Sequence, residues 1–338
     1  MAQRGPRNSL TDVDGLNVGC AEDAAVATGV TVVVPDARAI CAVDVLGGGP
    51  GTRETDALAP ENLVDAVDAL VLSGGSVYGL GAADGVVAAI GAEGKGFQLV
   101  AREGVPRAPI VPSAILYDLA NGGAKDWGAA PPYADLGRRA YAARGLDVHL
   151  GNAGAGYGAR AGALKGGQGS ASIVAADGVT VAALACVNCW GATTMPNSRC
   201  FWAWPYEIAD EFGGVRPAGD TAFDAEDWGA SKIAAAQQRA NTTIAVVATD
   251  VALTASETKR VVQMASAGLA RAIRPVFAPF DGDVVFALST AKREVEGVRA
   301  WHVARIGALA AECLARAVAR GVYEAEALGG ARAWRDLA

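Results

Sequence analysis

The sequence predicts a mixed fold of the α/β or α+β class, and three observations support this prediction. Short runs rich in β-branched residues, such as 30–34 and 244–248, have the composition of buried strands. Several of these runs precede alanine-rich segments of helical character. The chain has 338 residues, of which 51% are hydrophobic, so it is long enough to bury a large core.

The first strands are expected at 30–34 and 69–72. The second ends in the small-residue run 73–76, which includes Gly75 and Ser76, and an alanine-rich helix follows. The first N–H groups of a helix have no partner within it, so such a corner can bind a carbonyl or a carboxylate. The same run is equally typical of a tight strand-to-helix turn, and the sequence leaves both interpretations open.

A third strand is expected at 179–184, followed by a long loop over 195–229. This loop is rich in Pro, Gly, Asp and Glu and carries an aromatic cluster. A loop of that length within a compact chain is usually functional or mobile. The next segment, 232–240, has helical composition, and the loop before it is suitably placed as a spacer ahead of a processing site.

The last part of the chain alternates regularly between strands and helices. We expect, in order, a strand at 242–251, a helix at 256–272, a strand at 284–289 and a helix at 298–320. The run Thr-Ala-Ser-Glu at 254–257 has the form of a capping box, which makes the start of the first helix the firmest boundary in the chain.

The net charge and composition disfavour several classes of binding partner. The formal net charge is −7 and the pI is about 5.0, and there is no run of lysine or arginine. These features argue against a nucleic-acid backbone or an anionic membrane as a partner, and they favour a small, uncharged or weakly charged substrate. The sequence has no apolar run long enough to span a bilayer, and residues 1–10 are not followed by the apolar stretch of a secretory signal, so we expect a cytoplasmic protein.

Several common catalytic classes are disfavoured. Cys186 and Cys189 form the only close thiol pair, without a second pair or a nearby histidine to complete a zinc site. Of the two histidines, His149 and His302, the second lies in a segment that suits a packed helix. No phosphate-binding glycine motif and no Gly-x-Ser-x-Gly motif is present in good form. We therefore expect no metal and no cofactor, and a nucleophile that works without histidine.

One such nucleophile is a Ser, Thr or Cys at an amino terminus, where the free α-amino group is the base for the adjacent side chain. An α-amine has a reference pKa of about 7.7–8.0, so much of it is unprotonated near neutral pH. Thr242 can gain this amine only if the peptide bond after Asn241 is cut. In that step the Thr242 hydroxyl would attack the Asn241 carbonyl, and water would hydrolyse the resulting ester.

Two segments carry a resemblance to a known family. The run 238–244, Gln-Arg-Ala-Asn-Thr-Thr-Ile, and the run 281–287, Asp-Gly-Asp-Val-Val-Phe-Ala, resemble the self-processing region of the DmpA-type aminopeptidases and amidases, a family that includes the nylon-oligomer endohydrolases. Shorter segments resemble the family in the same order along nearly the whole chain: 10–19, 50–56, 72–76, 165–172 and 187–188. Each is weak alone, but together they are specific.

The resemblance implies an αββα sandwich of the N-terminal-nucleophile type. It implies cleavage into a long subunit, 1–241, and a short subunit, 242–338, which stay associated as one intertwined domain. The processed heterodimers are expected to assemble into a homo-oligomer, of which a tetramer is one form.

The resemblance also implies which residues of this chain form the active site. Lys165, Asn188, Asp281 and Asp283 would join Thr242 in the active site. An Asn188 N–H can stabilise the oxygen that becomes negative when the amide carbon turns tetrahedral. Lys165 can stabilise negative charge on the hydroxyl or the intermediate, and a poorly solvated site would lower its pKa.

Asp281 and Asp283 flank Gly282 just before the start of the strand predicted at 284–289. If that strand starts early enough, both carboxylates project to the same side, where they could orient the terminal ammonium group and relay its proton. Two neighbouring carboxylates should titrate as a unit. By family position Tyr78 could cover the substrate, next to Gly75 and Ser76 in the corner described above.

The activity expected from these residues is hydrolysis of linear amide bonds through an acyl-enzyme. The Asn-Thr-Thr junction and the Asp-Gly-Asp pair look closer to the nylon-oligomer branch, with 6-aminohexanoate oligomers or related small peptides as substrates, than to the branch with a Gly-Ser junction. An aminopeptidase acting on peptides, β-peptides and amino-acid amides is an alternative. Acyl transfer of the ornithine acetyltransferase kind and an inactive binding scaffold are two others.

Overall fold

The structure, a computed structural model, describes residues 1–64, 66–220, 224–232 and 241–337. Two β-sheets stack face to face within these residues, and helices cover the outer face of each sheet. This arrangement is the αββα sandwich that the resemblance implied.

The strands of the described residues are, in chain order, Gln3–Arg4 (β1), Leu16–Asp23 (β2), Thr28–Pro35 (β3), Ala39–Val45 (β4), Thr52–Arg53 (β5), Ala66–Val67 (β6), Leu70–Ser73 (β7), Ser113–Ile115 (β8), Arg160–Ala161 (β9), Leu164–Lys165 (β10), Gly167–Val174 (β11), Thr180–Asn188 (β12), Thr242–Val251 (β13) and Val284–Arg293 (β14). The α-helices of the same residues are Ala82–Ala92 (α1), Tyr133–Ala142 (α2), Ala255–Ala265 (α3), Ala267–Ala272 (α4) and Arg299–Tyr323 (α5).

Within the described ranges, the larger sheet has seven strands in the order β1-β11-β12-β13-β14-β4-β6, and the smaller sheet has five in the order β2-β3-β7-β8-β5. Strands β9 and β10 form a separate antiparallel pair. Most neighbours are antiparallel, but β13 and β14 are parallel, as are β7 and β8. A crossover is needed to join two parallel strands, and α3 and α4 provide it between β13 and β14.

Side-chain alternation along β13 shows how the sheet divides the core. Ile244 and Val246 belong to the cluster between the two sheets, whereas Ala245 and Val247 belong to the cluster beneath α3 and α5. Both faces of the strand are therefore buried, which explains its nearly continuous apolar sequence. The smaller sheet packs its other face on α1 and α2.

The predicted elements of the last third are confirmed with small changes at their ends. Strand β13 has the predicted bounds, and the capping box is present, since Thr254 and Glu257 each accept a hydrogen bond from the backbone N–H of the other. The prediction of a single helix over 256–272 is wrong, because the chain turns at Ser266 between α3 and α4. A Cβ on Gly268 would lie 2.3 Å from the Ala311 carbonyl oxygen, so this turn brings α4 very close to α5.

Two other predictions need adjustment. The helix after the small-residue corner begins as a 3₁₀ segment, Ser76–Gly81, before α1 starts. The long segment 195–229 is a loop with a 3₁₀ turn at Trp204–Tyr206, as expected of its composition. Residues 221–223, within that loop, and 233–240, within the predicted helical segment, lie outside the described part of the chain.

The six cysteines are free, and only Cys20 is partly exposed. Burial raises the pKa of the Cys186 and Cys189 thiols, which keeps both protonated at neutral pH. His302 is buried on α5, as predicted, with its Nε2 at 2.8 Å from the Glu296 carbonyl oxygen. The helices described here are too short or too polar to cross a bilayer.

A buried ion pair fastens the long loop to α5. Glu211 lies in the loop, and its carboxylate accepts hydrogen bonds from Arg316, whose side chain is fully buried, and from Asn8. Burial opposes ionisation of Glu211, but the bonds and charge of Arg316, with Asn8 and Arg320, outweigh burial and hold the pKa of Glu211 below its usual range. The loop is thus tied to both the amino terminus and the last helix.

We expect Glu211→Gln to destabilise the protein by about 3 kcal/mol, because the substitution leaves the Arg316 charge buried without its counter-ion. Since the folded-state pKa of Glu211 is depressed, the pair stabilises the fold above the unfolded pKa, and this contribution is lost as the pH falls toward the folded pKa. Chemical denaturation at neutral and acidic pH measures both effects. Asp177→Asn, which breaks the more exposed pair with Arg305, is the control and should cost less than about 1 kcal/mol. Equal losses for the two variants would contradict this assignment.

Candidate active site

The predicted nucleophile stands where two central strands meet. Thr242 is the first residue of β13, and it pairs directly with Asn188, the last residue of β12. Both side chains are buried, and alternation along their strands directs them to the face between the two sheets. The ladder therefore brings together two residues that are 54 positions apart in the sequence.

The peptide bond between Asn241 and Thr242 is held by two hydrogen-bond donors. The Thr242 hydroxyl donates to the carbonyl oxygen of Asn241, and the N–H of Gly282 donates to the same oxygen at 2.9 Å. The hydroxyl thus lies against the carbonyl group that it would attack. The Gly282 N–H points at the oxygen that would become negative, which is the geometry of an oxyanion donor.

The two aspartates are placed by a turn and not by strand alternation. Strand β14 begins only at Val284, after both residues, and the Asp281 N–H donates to the Ala278 carbonyl at 2.9 Å. The Asp281 carboxylate accepts the N–H groups of Trp190 and Ala278, at 3.2 and 3.1 Å. The condition that the sequence set for the two side chains to share a face of the strand is therefore not met.

Asp283 is bonded to the residue after the nucleophile. Its carboxylate accepts the N–H of Thr243 at 2.6 Å and the N–H of Phe277 at 3.3 Å. Burial, and then the negative charge of Asp281, raise the pKa of Asp283 to about 8. Burial also raises the pKa of Asp281. The two groups influence each other electrostatically, as expected of neighbouring carboxylates.

Lys165 is an almost completely buried lysine, with 1% of its surface exposed. Its amino group donates to the carbonyl oxygens of Gly166 and Gly156, at 2.7 and 3.2 Å. Burial lowers the pKa of Lys165 to about 7, although the charge of Asp118 opposes this effect. Protonated and neutral forms of the amine are therefore both available near neutral pH, as the sequence analysis anticipated for a poorly solvated lysine.

Short strands connect Lys165 to Asn188. Lys165 in β10 pairs with Arg160 in β9, and the Arg160 N–H donates to the side-chain oxygen of Asn188 at 2.8 Å. The Asn188 amide nitrogen donates to the Tyr117 carbonyl at 3.0 Å. The side chain of Asn188 is thus fixed in orientation from both ends of its amide.

The small-residue corner has internal partners for its backbone donors. The N–H groups of Gly74, Gly75 and Ser76 donate to the Gly29 carbonyl, the Asp118 carboxylate and the Leu116 carbonyl, at 2.9, 2.8 and 3.0 Å. A substrate carbonyl or carboxylate could bind these groups only by replacing an existing acceptor. Of the two interpretations that the sequence left open, this geometry corresponds to the tight turn.

Tyr78 lies at the surface beside this corner. The residue is 48% exposed, and its ring packs edge-to-face on Trp127, with 5.5 Å between ring centroids. A role in covering the substrate stays a prediction for Tyr78, as do the binding roles of Ser76 and Gly75.

A glycine run that the sequence analysis did not identify supports the aspartate turn. The N–H of Gly49 donates to the Asp281 carbonyl at 2.8 Å, and that of Gly47 donates to the Asp283 carbonyl at 3.3 Å. A Cβ on Gly47 would lie 2.3 Å from the Asp281 carbonyl oxygen, so only glycine permits this approach. Three consecutive glycines, at 47–49, were the available signal in the sequence.

Among the residues that the structure describes, no group of three or more His, Cys, Asp or Glu is arranged to hold a metal ion.

Sequence comparison gives matches along nearly the whole chain. The model of peptidase family S58 matches residues 8–335. An uncharacterized aminopeptidase of Mycobacterium tuberculosis is 44% identical over 348 residues, with 98% of each protein covered. A 6-aminohexanoate-oligomer endohydrolase of Agromyces sp. is 30% identical over 322 residues, which cover 91% of this chain and 84% of that enzyme.

Two solved structures share the fold. A Burkholderia sp. beta-aminopeptidase superposes with a TM-score of 0.71 at 23% identity, covering 98% of this chain and 92% of the other. The L-aminopeptidase D-Ala-esterase/amidase of Ochrobactrum anthropi gives 0.70 at 22% identity, covering 96% and 88%, and is described as a variant of the Ntn hydrolase fold. The fold of this chain is therefore of the N-terminal-nucleophile type, which confirms the expectation from sequence.

The aspartate pair gives a direct electrostatic prediction. With Thr242→Ala present to keep the chain unbroken, Asp281→Asn should lower the pKa of Asp283 from about 8, because the substitution removes the neighbouring negative charge that raises it. Carbon-13 NMR of the aspartate carboxyl groups measures the shift. Asp177→Asn, at the surface, is the control and should leave the titration of Asp283 in place. An unchanged Asp283 titration in Asp281→Asn would show that the two carboxylates do not interact.

Proposed function

The chain belongs to peptidase family S58 and is a hydrolase of peptide or amide bonds; on this premise we propose that it cuts itself between Asn241 and Thr242 and then uses Thr242 as its nucleophile. One observation carries the proposal. The Thr242 hydroxyl lies against the Asn241 carbonyl, and that carbonyl also accepts the N–H of Gly282.

The cleavage step needs no group from outside the chain except water. Oγ1 of Thr242 attacks the carbonyl carbon of Asn241, and the Gly282 N–H stabilises the oxygen as it becomes negative. The hydroxyl proton passes to the Thr242 nitrogen, the C–N bond breaks, and an ester joins Asn241 to the Thr242 side chain. Water then hydrolyses the ester, which yields the Asn241 carboxylate and a free amino-terminal threonine.

Turnover uses the amine that this step creates. With a reference pKa of about 7.7–8.0, the α-amine of Thr242 takes the proton of its own hydroxyl as Oγ1 attacks the substrate carbonyl. We assign Asn188 and Lys165 to the negatively charged intermediate, and Asp281 and Asp283 to the orientation and proton exchange of the terminal amine. The leaving amine departs with a proton, and water hydrolyses the acyl-enzyme.

The strand order of the larger sheet supports a processed protein whose two subunits stay associated. The long subunit would end at Asn241 and contribute β12 and β4, and the short subunit would contribute β13 and β14 between them. The two products would therefore share the central strands of one buried sheet, as an intertwined domain. A cytoplasmic location and a homo-oligomer of these heterodimers complete the proposal, and fractionation and light scattering test them.

We assign short linear amides as substrates. Relatives named 6-aminohexanoate-oligomer endohydrolases support ω-amino-acid oligomers, which is the class indicated by the Asn-Thr-Thr junction. The 44% identical relatives are named aminopeptidases, and this supports peptides and amino-acid amides as the second candidate class. Parallel assays of 6-aminohexanoate oligomers, β-peptides and L-amino-acid amides distinguish the two.

The nucleophile is tested by substitution and intact mass spectrometry. Wild-type protein should give two fragments that meet at Asn241 and Thr242, whereas Thr242→Ala should stay uncut and hydrolyse none of these substrates, because both steps need the hydroxyl. Thr242→Ser retains a hydroxyl and is the matched control that should still cleave. A wild-type chain that is active while unbroken, or full activity in Thr242→Ala, would refute the proposal.

The position of Gly282 gives a second test. A Cβ at this residue would lie 2.7 Å from both Thr242 Oγ1 and the Gly49 carbonyl oxygen, so Gly282→Ala should displace the hydroxyl from the Asn241 carbonyl. A displacement of about 1 Å can slow a reaction about 100-fold, and we expect a loss of this size in the rate of self-cleavage. Gly81→Ala, where a Cβ meets no atom within 4 Å, is the control. Cleavage of Gly282→Ala at the wild-type rate would contradict the assigned geometry.

A further inference from the structure

Lys232 is the last described residue before the processing junction, and it is held firmly in place. Its N–H donates to the Trp190 carbonyl, and the Trp190 indole N–H donates to the Lys232 carbonyl, both at 2.9 Å. Nearby, the Ala192 N–H donates to the Ser231 hydroxyl at 3.1 Å, and Trp228 packs edge-to-face on Trp190. The backbone of Lys232 is thus fixed beside the end of β12.

Lys232 is half-buried, and its side chain turns toward the end of β12. Its amino group donates to the Asn188 carbonyl at 3.3 Å, and Asn188 is the residue that pairs with Thr242. The adjoining Trp190 N–H is bonded to the carboxylate of Asp281, so the ammonium group and this carboxylate lie in the same small region. An ordinary surface lysine such as Lys95, whose side chain is 62% exposed, pairs instead with a surface glutamate.

The charged and titratable groups around the Lys232 amine are Asp281, Asp283 beyond it, Cys189 and Arg160. Burial lowers the pKa of Lys232 to about 8, while the negative charge of Asp281 opposes that change and the positive charge of Arg160 adds to it. In return, the Lys232 charge counteracts the effect of burial on the pKa of Asp281. The interaction between lysine and aspartate therefore acts on both groups.

We propose that Lys232 is a positioning residue, whose ammonium group holds the Asn188 carbonyl and keeps Asp281 as the ionised member of the aspartate pair. The inference rests on the proposed function and adds a residue to it. Two adjacent buried carboxylates do not both ionise readily, and a nearby cation favours ionisation of the one on which its charge acts, here Asp281. With the Lys232 charge acting on Asp281, the proton stays on Asp283, next to the start of β13.

A second effect follows from the strand pairing. The Cα atoms of residues that face each other in an antiparallel pair lie about 4.5–5.5 Å apart, so the cation at the Asn188 carbonyl stands close to the amino terminus that cleavage creates at Thr242. A neighbouring positive charge lowers the pKa of an amine. More of the Thr242 amine is then in the neutral form that acts as a base.

Both effects act in the same direction on the pH dependence. Removal of the Lys232 charge raises the pKa of Asp281 and raises the pKa of the Thr242 amine. Each group then reaches its working form, carboxylate or free amine, only at a higher pH. The acidic limb of the pH–rate profile should therefore move to higher pH when the charge is removed.

The test compares Lys232→Met with Lys232→Arg, and with Lys95→Met as the surface control. Self-cleavage is followed by intact mass spectrometry, and kcat/KM of the mature form is measured against pH with L-alanine p-nitroanilide or a 6-aminohexanoate trimer, whichever the wild type hydrolyses. In Lys232→Met we expect the acidic limb of the kcat/KM profile to move to higher pH by about one unit. Lys232→Arg keeps the charge and should retain the wild-type limb, as should Lys95→Met.

The outcomes separate this inference from the proposed function. If the wild type cleaves and turns over but Lys232→Met shows the wild-type limb, the role of Lys232 is wrong and the proposed function stands. A uniform loss of rate with an unmoved limb would indicate a structural role only and would also overturn the inference. If the wild type stays a single active chain, the proposed function itself fails. Should Lys232→Met not fold, the same limb is measured in Lys232→Gln, which is uncharged but polar.

Discussion

The pairing of β12 with β13 is the constraint on which the rest of the site depends. This ladder runs without a register shift from Val181 and Thr249 to Asn188 and Thr242, and both strands are buried on both faces. The position of Thr242 is therefore set by the whole sheet and not by its local segment. A hydroxyl that must lie against one particular carbonyl benefits from such a rigid support, because small displacements cost large factors in rate.

The candidate site also depends on a close approach between backbone segments. The turn of Asp281 and Gly282 reaches the Asn241 carbonyl only because glycine stands at 282, and the run at 47–49 supports that turn from the other side. Backbone N–H groups placed in this way cannot rotate out of position, unlike side-chain donors. The donor to the Asn241 carbonyl is thus held in place by the backbone, as the proposed self-cleavage requires.

Burial of charge completes the site. Lys165, Asp281 and Asp283 are all buried, and burial shifts the pKa of each in the direction that favours its neutral form. The charge of Lys232 opposes this effect at Asp281. A set of groups whose pKa values are brought near neutrality is suited to proton exchange at physiological pH. In a solvent-exposed arrangement the same residues would titrate near their ordinary values, and the site would lose this property.

The sequence by itself determined the class of fold, the bounds of β13 and the capping box at Thr254, and its resemblance to a family indicated the candidate residues of the proposed site. These features are local or are carried by motifs, so they can be read from neighbouring residues. The break between α3 and α4, the turn that places the two aspartates, the internal acceptors of the Gly75 corner and the position of Lys232 could not be read in this way. Only the tertiary structure decided them, because each depends on backbone groups from distant parts of the chain that meet when the two sheets pack, and a linear pattern contains no distance between such groups.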